Sequence, residues 1–417
     1  MSHRWANLLL PIAAAALLAT SCKKTQSPDN PLPTEYYPSI IVNSDNQILY
    51  GVDPFTGKKN WEYGLPAFTG VTPPTLLAPS PVVYNNMVYV ATFNSDTVYK
   101  LVSKTGVFVK KVKLNSSGGP MAVHATPVAN GNLLYVPVYT DNTIYAIDTG
   151  TLAIKWQFTA DANLVSSPVV DKDYIYFAST AGTLYALNKN DGTSFWSLAV
   201  TSPAPIAGDP PIPASFYSSP AIADSHLYIG SVKDSNMYCI RIPVRTTELP
   251  YVRWIYKTNG AVYSSPATFG GTCIFGSSDF SIYCLDTAVN PNAPMPLAKT
   301  VPDLRWKYMT GGEIVSSPTV SNQVVYAASK DYKLYAINIL DGKKKWSFAT
   351  TGLIKASPIP FRGLVYIGSY DKMLYAVDST KGTIRWSYSV DGQMSSSPTI
   401  DDLTGKTYNS QVSGFIN

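Results

Sequence analysis

The sequence predicts an all-β chain, an eight-bladed β-propeller built of four-stranded antiparallel blades. Three observations carry this. A block resembling SSPxV…VYxGSxD…LYAL(D/N)xxxGxxxW recurs along nearly the whole chain, with its Ser-Pro or Thr-Pro step at Pro81, Pro127, Pro168, Pro220, Pro266, Pro318, Pro358 and Pro398. The intervals of 46, 41, 52, 46, 52, 40 and 40 residues are those of a propeller or solenoid, and no 3.6-period run long enough for an α-solenoid appears. Charged residues make up only 14% and aromatics 12%, with 29 Tyr. That composition is β-rich and points to tyrosine-heavy surfaces.

The chain opens with what reads as an export signal, residues 1–21. Arg4 supplies the positive start, and Leu8 to Ala19 is an apolar stretch too short to span a bilayer. Leu18-Ala19-Thr20-Ser21-Cys22 follows. Small residues ahead of a Cys resemble the lipobox of bacterial lipoproteins, which implies cleavage before Cys22 and acylation of its thiol. An acylated Cys carrying two or more chains anchors stably. Residues 22–38, rich in Pro, Ser, Asn and Thr, are expected to be a flexible tether.

Residues 39–417 form the expected propeller. In its cleanest copy, Ser357-Pro358 opens a first short strand and Arg362-Gly363 turns it. Leu364–Ser369, Met373–Asp378 and Thr383–Tyr388 supply three more strands, rich in β-branched and aromatic residues. Four short strands per copy make a propeller blade. A Trp closes the copies at Trp61, Trp156, Trp196, Trp254, Trp306, Trp346 and Trp386, and in one copy Lys110 takes its place. One large ring per copy reads as packing between blades, each burying about 150–250 Å². A Trp at position 110 is expected to be tolerated if the slot is preserved.

The two ends are out of phase. Residues 39–63 hold only the late part of the motif and residues 395–417 only the early part. Together they complete an eighth, composite blade, and pairing them removes exposed sheet edges. Cys239 and Cys284 take the position held elsewhere by Ala146, Ala186, Ala336 and Ala376, a small buried slot. Cys273 and Cys284 fall on adjacent strands, diagonal in register, so a disulfide is disfavoured though open to an exported chain.

The Tyr-Ala-(Leu/Ile/Val)-(Asp/Asn) step, the Gly and the Trp, as in Leu374 to Trp386, resemble the tryptophan-docking motif of the pyrroloquinoline-quinone-type propeller repeat family. The resemblance spans roughly residues 39–417. It implies one of two branches. Quinoprotein dehydrogenases hold quinone and calcium in the central funnel, whereas non-catalytic propellers include the lipoprotein of the outer-membrane barrel-assembly machinery. The first branch carries a vicinal Cys-Cys pair, which this chain lacks, and needs an acid and amide set for Ca²⁺. Only Glu35, Glu62, Glu248 and Glu313 are present, and Asp279, Asp331 and Asp371 recur at one turn position, where Asp caps its own backbone.

His3, His124 and His226 have no nucleophile or metal motif around them. No catalytic, cofactor-binding or metal-binding residues are therefore assigned, and no cofactor is expected. The net charge of +5 is too thinly spread for a nucleic-acid footprint. Long loops lie at 64–79, 200–216, 241–252 and 288–304; the first two lengthen one face and the last two the other. The sequence thus points to a monomeric, non-catalytic, protein-binding scaffold of the envelope, held by lipid at Cys22 on the periplasmic side of the outer membrane. The alternative is a quinone-dependent dehydrogenase or another propeller binding a small ligand or glycan.

Overall fold

Runs of five or six β-branched and aromatic residues joined by tight turns pair as antiparallel hairpins, since the connections are too short for a parallel crossover. The computed structural model describes residues 38–66, 79–92, 97–114, 123–203, 210–243, 247–287, 301–402 and 407–408. Met1–Tyr36 separates from Tyr37–Asn417 as its own unit. The expected signal, Cys22 and the tether up to residue 37 lie outside the described residues. Pro38, placed at the end of the tether from sequence, is buried.

The sheets are eight blades arranged as a propeller. Blades 2 to 8 span residues 82–113, 128–159, 169–199, 221–257, 267–309, 319–349 and 359–389. Each has four antiparallel strands in sequence order. Blade 1 joins the chain ends: Thr399–Asp401, Ser39–Asn43, Ile48–Val52 and Lys59–Gly64 pair in that spatial order. Ile40 stands opposite Ile400 and Val52. Thr407–Tyr408 adds a fifth strand beside Thr399–Asp401, one more than the repeat alone predicts. A small ribbon, Thr201–Ser202 with Ile212–Pro213, forms within the long link after blade 4.

Local chemistry explains the turns. Between first and second strands, Asn85-Asn86, Asp224-Ser225, Gly270-Gly271 and Asn322-Gln323 each have two consecutive positive φ values. That is the type I′ hairpin, whose twist matches the strands and which favours Asn, Asp and Gly. Between third and fourth strands, a bulge follows the small residue opposite each Trp, as at Ala376/Val377.

The tryptophans sit between blades. Trp61, Trp156, Trp306, Trp346 and Trp386 each donate Nε1–H to a carbonyl of the next blade: Ser103, Lys189, Ile339, Ser379 and Pro54, at 2.7–3.2 Å. Trp386 thereby reaches from blade 8 to blade 1. Gly382, at φ +70°, lies flat under Trp346; a Cβ there would come within 2.7 Å of the ring. Trp196 and Trp254 are buried, but their Nε1 atoms have no partner among the described residues. Both face blades whose third-to-fourth-strand turn is replaced by a long loop.

Blade 2 is built differently at this joint. Lys110 holds the Trp register, opposite Lys100 where other blades have Ala, Cys or Gly. Lys100 is buried and its Nζ donates to Thr149 O at 2.7 Å, the equivalent of the carbonyl that a Trp would reach. Lys110 Nζ donates to Thr151 O at 2.8 Å. Leu152, at φ 59°, stands where the other turns have Gly and is buried in the core shared by blades 2 and 3. The slot is therefore not preserved, and a Trp at 110 alone would meet Leu152. Lys110 alone in the sequence does not reveal this, because Lys100 and Leu152 differ from the other blades together with it.

Candidate functional site

The residue before each repeat proline faces the axis of the ring and closes a belt. The N–H of Ser80 donates to Thr126 Oγ1, Thr126 to Ser167 Oγ, Ser167 to Ser219, Ser219 to Ser265, Ser265 to Ser317, Ser317 to Ser357 and Ser357 to Ser397. Ser397 N–H then donates to Ser80 Oγ, and all eight bonds are 2.9–3.1 Å long. A proline must follow, since its ring holds the preceding residue extended and spares a backbone donor beside the axis. The belt rigidifies the inner wall, so side chains just ahead of it are held on a fixed frame.

Those side chains, with the second-to-third-strand turns, form the mouth of the ring on the face that also carries the links between blades. Over blades 3 to 6 the mouth is aromatic. His124 meets Tyr139 edge-on at 4.5 Å and Tyr217 meets Tyr263 edge-on at 5.9 Å. Asn163 Nδ2 donates to Tyr139 O at 2.7 Å. Burial pushes His124 down to about 4, so it is neutral at neutral pH. Burial also raises the Tyr217 hydroxyl, with Tyr139 and Tyr263 adding to the effect.

Over blades 7, 8 and 1 the mouth carries charge. Lys330 Nζ pairs with Glu313 Oε2 at 2.5 Å, and Lys355 Nζ lies 4.8 Å over the Tyr370 ring. Ser395 Oγ donates to Asp45 Oδ1 at 2.6 Å. Burial raises Asp45, offset by Ser395 and Lys355. Burial also pushes Tyr370 up to about 12. These groups are matched with one another, which suits the recognition of a shaped, polar surface more than proton transfer.

Further out on the same face, Phe280 and Tyr332 occupy the turns of blades 6 and 7 at φ 69°, a conformation that bulky side chains rarely adopt. Both are exposed, as are Tyr263 and Met309. Thr310 N–H donates to Phe280 O at 2.8 Å, which places Met309 beside that turn. Equivalent turns elsewhere carry Gln47, Asn142, Gly182, Ser235 and Lys372. Exposed aromatics in strained turns mark a working surface. Sequence reading missed Phe280 and Tyr332, although an aromatic at a position otherwise small or polar was a usable signal.

The tyrosine-rich composition has a different meaning from the one expected. Only Tyr251, Tyr263 and Tyr332 are exposed among the described residues. The others pack inward or between blades. Tyr145, Tyr335 and Tyr375 donate to Asp141, Asp331 and Asp371 at 2.5–2.8 Å, and Tyr238 donates to Asp234. The same Asp residues cap their turns: Asp371 accepts from Met373 N–H at 3.1 Å and Thr351 N–H at 3.0 Å. Cys239, Cys273 and Cys284 are buried thiols, raised by burial. Cys273 stands opposite Leu285, and Cys284 opposite Ile274 and Trp306. Among the described residues no three His, Cys, Asp or Glu side chains are grouped to hold a metal ion.

The family model for outer membrane protein assembly factor BamB matches residues 45–289 and 302–408. The chain resembles BamB from Moraxella catarrhalis at 16% identity and TM-score 0.56, covering 84% of this chain and 90% of that one. Apo AztD from Citrobacter koseri resembles it at 12% and 0.59, covering 91% and 99%. A europium-containing methanol dehydrogenase does so at 13% and 0.61, covering 78% and 81%. These likenesses show the fold. In sequence, the chain is 27% identical over 205 residues to the serine/threonine-protein kinase AfsK of Streptomyces griseus. That alignment spans 47% of this chain and 21% of the kinase.

Proposed function

Because the chain belongs to the family of the outer membrane protein assembly factor BamB, we propose that it is a non-catalytic envelope lipoprotein that holds a protein partner during outer-membrane protein assembly. The family match along residues 45–289 and 302–408 is the observation that carries this reading. Cys22 is the acylated anchor, on the outer membrane's periplasmic side. Lys23 and Lys24 follow it, with neither the Asp of inner-membrane retention nor an acidic export cluster. Palmitate labelling that is equal in wild type and Cys22→Ser would refute the anchor.

The partner is held on the link face, across Phe280, Tyr332, Tyr263 and Met309. A rigid ring presenting strained aromatics on two neighbouring blades supports this surface. Replacing Phe280 and Tyr332 by Gly relieves the backbone at both turns while removing the contact. The double variant should melt at or above the wild-type temperature, yet capture less of the partner in a pull-down from detergent-solubilised envelope. Undiminished capture would remove this surface from the proposal.

The likeness to the methanol dehydrogenase favours a second reading, a quinone-dependent enzyme. Fold alone does not confer that chemistry, and a cofactor titration separates the two readings.

A further inference from the structure

The outer rim of blades 1 and 2, away from the Phe280 and Tyr332 turns of blades 6 and 7, carries a patch that partner binding does not use. Residues 97–123 hold five lysines, at 100, 104, 110, 111 and 113, and no acidic residue. The last strand of blade 2, Phe108–Lys113, is exposed along nearly its whole length. Val107, Phe108 and Val109 are 43–58% exposed, and Phe55 on blade 1 is 41% exposed. The two blades are continuous here: Tyr63 stacks on Phe108 at 6.3 Å, and Trp61 docks on Ser103. Lys58, Lys59, Lys110, Lys111 and Lys113 are exposed around these apolar groups. The nearby carboxylates are engaged, since Glu62 pairs with Lys59 at 2.6 Å and Asp53 accepts from Phe55 N–H, Thr56 N–H and Thr56 Oγ1.

The chain also enters the ring at this end. Ser39 opens the second strand of blade 1, and Ile40 pairs with Val52, next to the Asp53–Gly57 turn that carries Phe55. Only residues 22–37 separate Cys22 from the buried Pro38. Exposed Phe and Val set among lysines is the pattern that enters the boundary between headgroups and acyl chains of an anionic bilayer.

We infer that the outer rim at the seam of blades 1 and 2 seats the propeller on an anionic lipid surface, leaving the Phe280 and Tyr332 turns of blades 6 and 7 clear of it. The inference rests on the envelope-lipoprotein reading for its setting, but its test does not need the acyl anchor. The full chain carrying Cys22→Ser is sedimented with vesicles of phosphatidylcholine alone or of equal parts phosphatidylcholine and phosphatidylglycerol. Partition onto the anionic vesicles should exceed that onto neutral ones by about tenfold or more, and should fall with added salt. Lys111→Glu/Lys113→Glu should lower it by about tenfold or more, since each basic group near such a surface contributes roughly fivefold. Val107→Ser/Val109→Ser should lower it severalfold, with melting unchanged in both variants. Lys343→Glu/Lys345→Glu, on blade 7, should leave it unaltered. Equal loss in the blade 7 variant, or equal partition onto both vesicles, would overturn the inference. Retention on polyglutamate without partition onto vesicles would overturn it in favour of an acidic protein segment. Neither failure touches partner capture through Phe280 and Tyr332.

Discussion

Ser397 N–H donates to Ser80 Oγ at 3.0 Å, and this bond joins the last repeat to the first across 317 positions of sequence. It completes a belt in which eight backbone donors are satisfied by eight hydroxyls of the neighbouring blade. Ring closure therefore has three layers. The belt lies at the axis, the pairing of Ile40 with Ile400 lies within blade 1, and the Trp386 bond to Pro54 O lies at the outer edge. Ser103 Oγ adds a bond to Asp401 between blades 1 and 2.

Removing one hydroxyl tests the belt. Ser317→Ala leaves the Ser265 N–H without its acceptor, at a cost of about 1–3 kcal/mol. Ser317→Thr should retain stability, because Thr126 already fills the same role in blade 3. Chemical denaturation of the three proteins measures the difference. An alanine variant as stable as wild type would mean that solvent satisfies the donor.

The blade 2 joint tests compensation. Trp346→Ala should cost about 3–5 kcal/mol, the range for large-to-small aromatic changes in a core. Lys110→Trp should also destabilise, since Leu152 fills the place of the turn glycine. The triple variant Lys100→Ala/Lys110→Trp/Leu152→Gly should recover what Lys110→Trp loses. Thermal melting of the set decides it; additive losses would show that the three positions are independent.

The architecture was legible because each blade repeats the same hydrophobic alternation and the same turn residues, and Ser39–Asn43 with Thr399–Asp401 lacked only each other. The site was less legible for a physical reason. Tyr335 and Tyr375 look like surface groups by composition, but they are consumed by Asp331 and Asp371 inside the blade. Phe280 and Tyr332 differ from their counterparts only in context, and their meaning appears once φ is known. The belt hydroxyls, seven serines and Thr126, were visible in every repeat, yet nothing in a one-dimensional pattern says that the acceptor lies one blade away.

Stability should depend on pH through His124. Its folded value of about 4 lies below the ordinary 6.5 because burial disfavours the charged ring. The unfolded chain then binds the proton more readily, so stability is full above about 6.5 and falls as pH drops towards about 4. His226 is also lowered by burial and acts in the same direction. Asp45 is raised by burial and acts in the opposite direction at more acidic pH. His124→Gln should flatten the loss between pH 6.5 and 5 in urea unfolding, and an identical slope in both proteins would assign it elsewhere.

The last prediction concerns the funnel. Calcium-loaded protein should not bind pyrroloquinoline quinone, nor oxidise alcohols or sugars when both are added. Quinone capture in the related dehydrogenases relies on a paired-cysteine lid, a stacking aromatic and an acid and amide set for calcium. Here Cys273 and Cys284 are buried on adjacent strands one position out of register, so their thiols lie on opposite faces of the sheet in separate cores. The docking tryptophans stand between blades, five of them tied to a neighbouring carbonyl. Glu313 is paired with Lys330, and Asp331 and Asp371 each hold a tyrosine and a turn. Recruiting these carboxylates to a cation would break the turns that shape the mouth. Calorimetric titration of the quinone into calcium-loaded protein is the direct measurement. A dissociation constant of about 1 μM or tighter, near −8 kcal/mol, would overturn the scaffold reading and favour the enzyme.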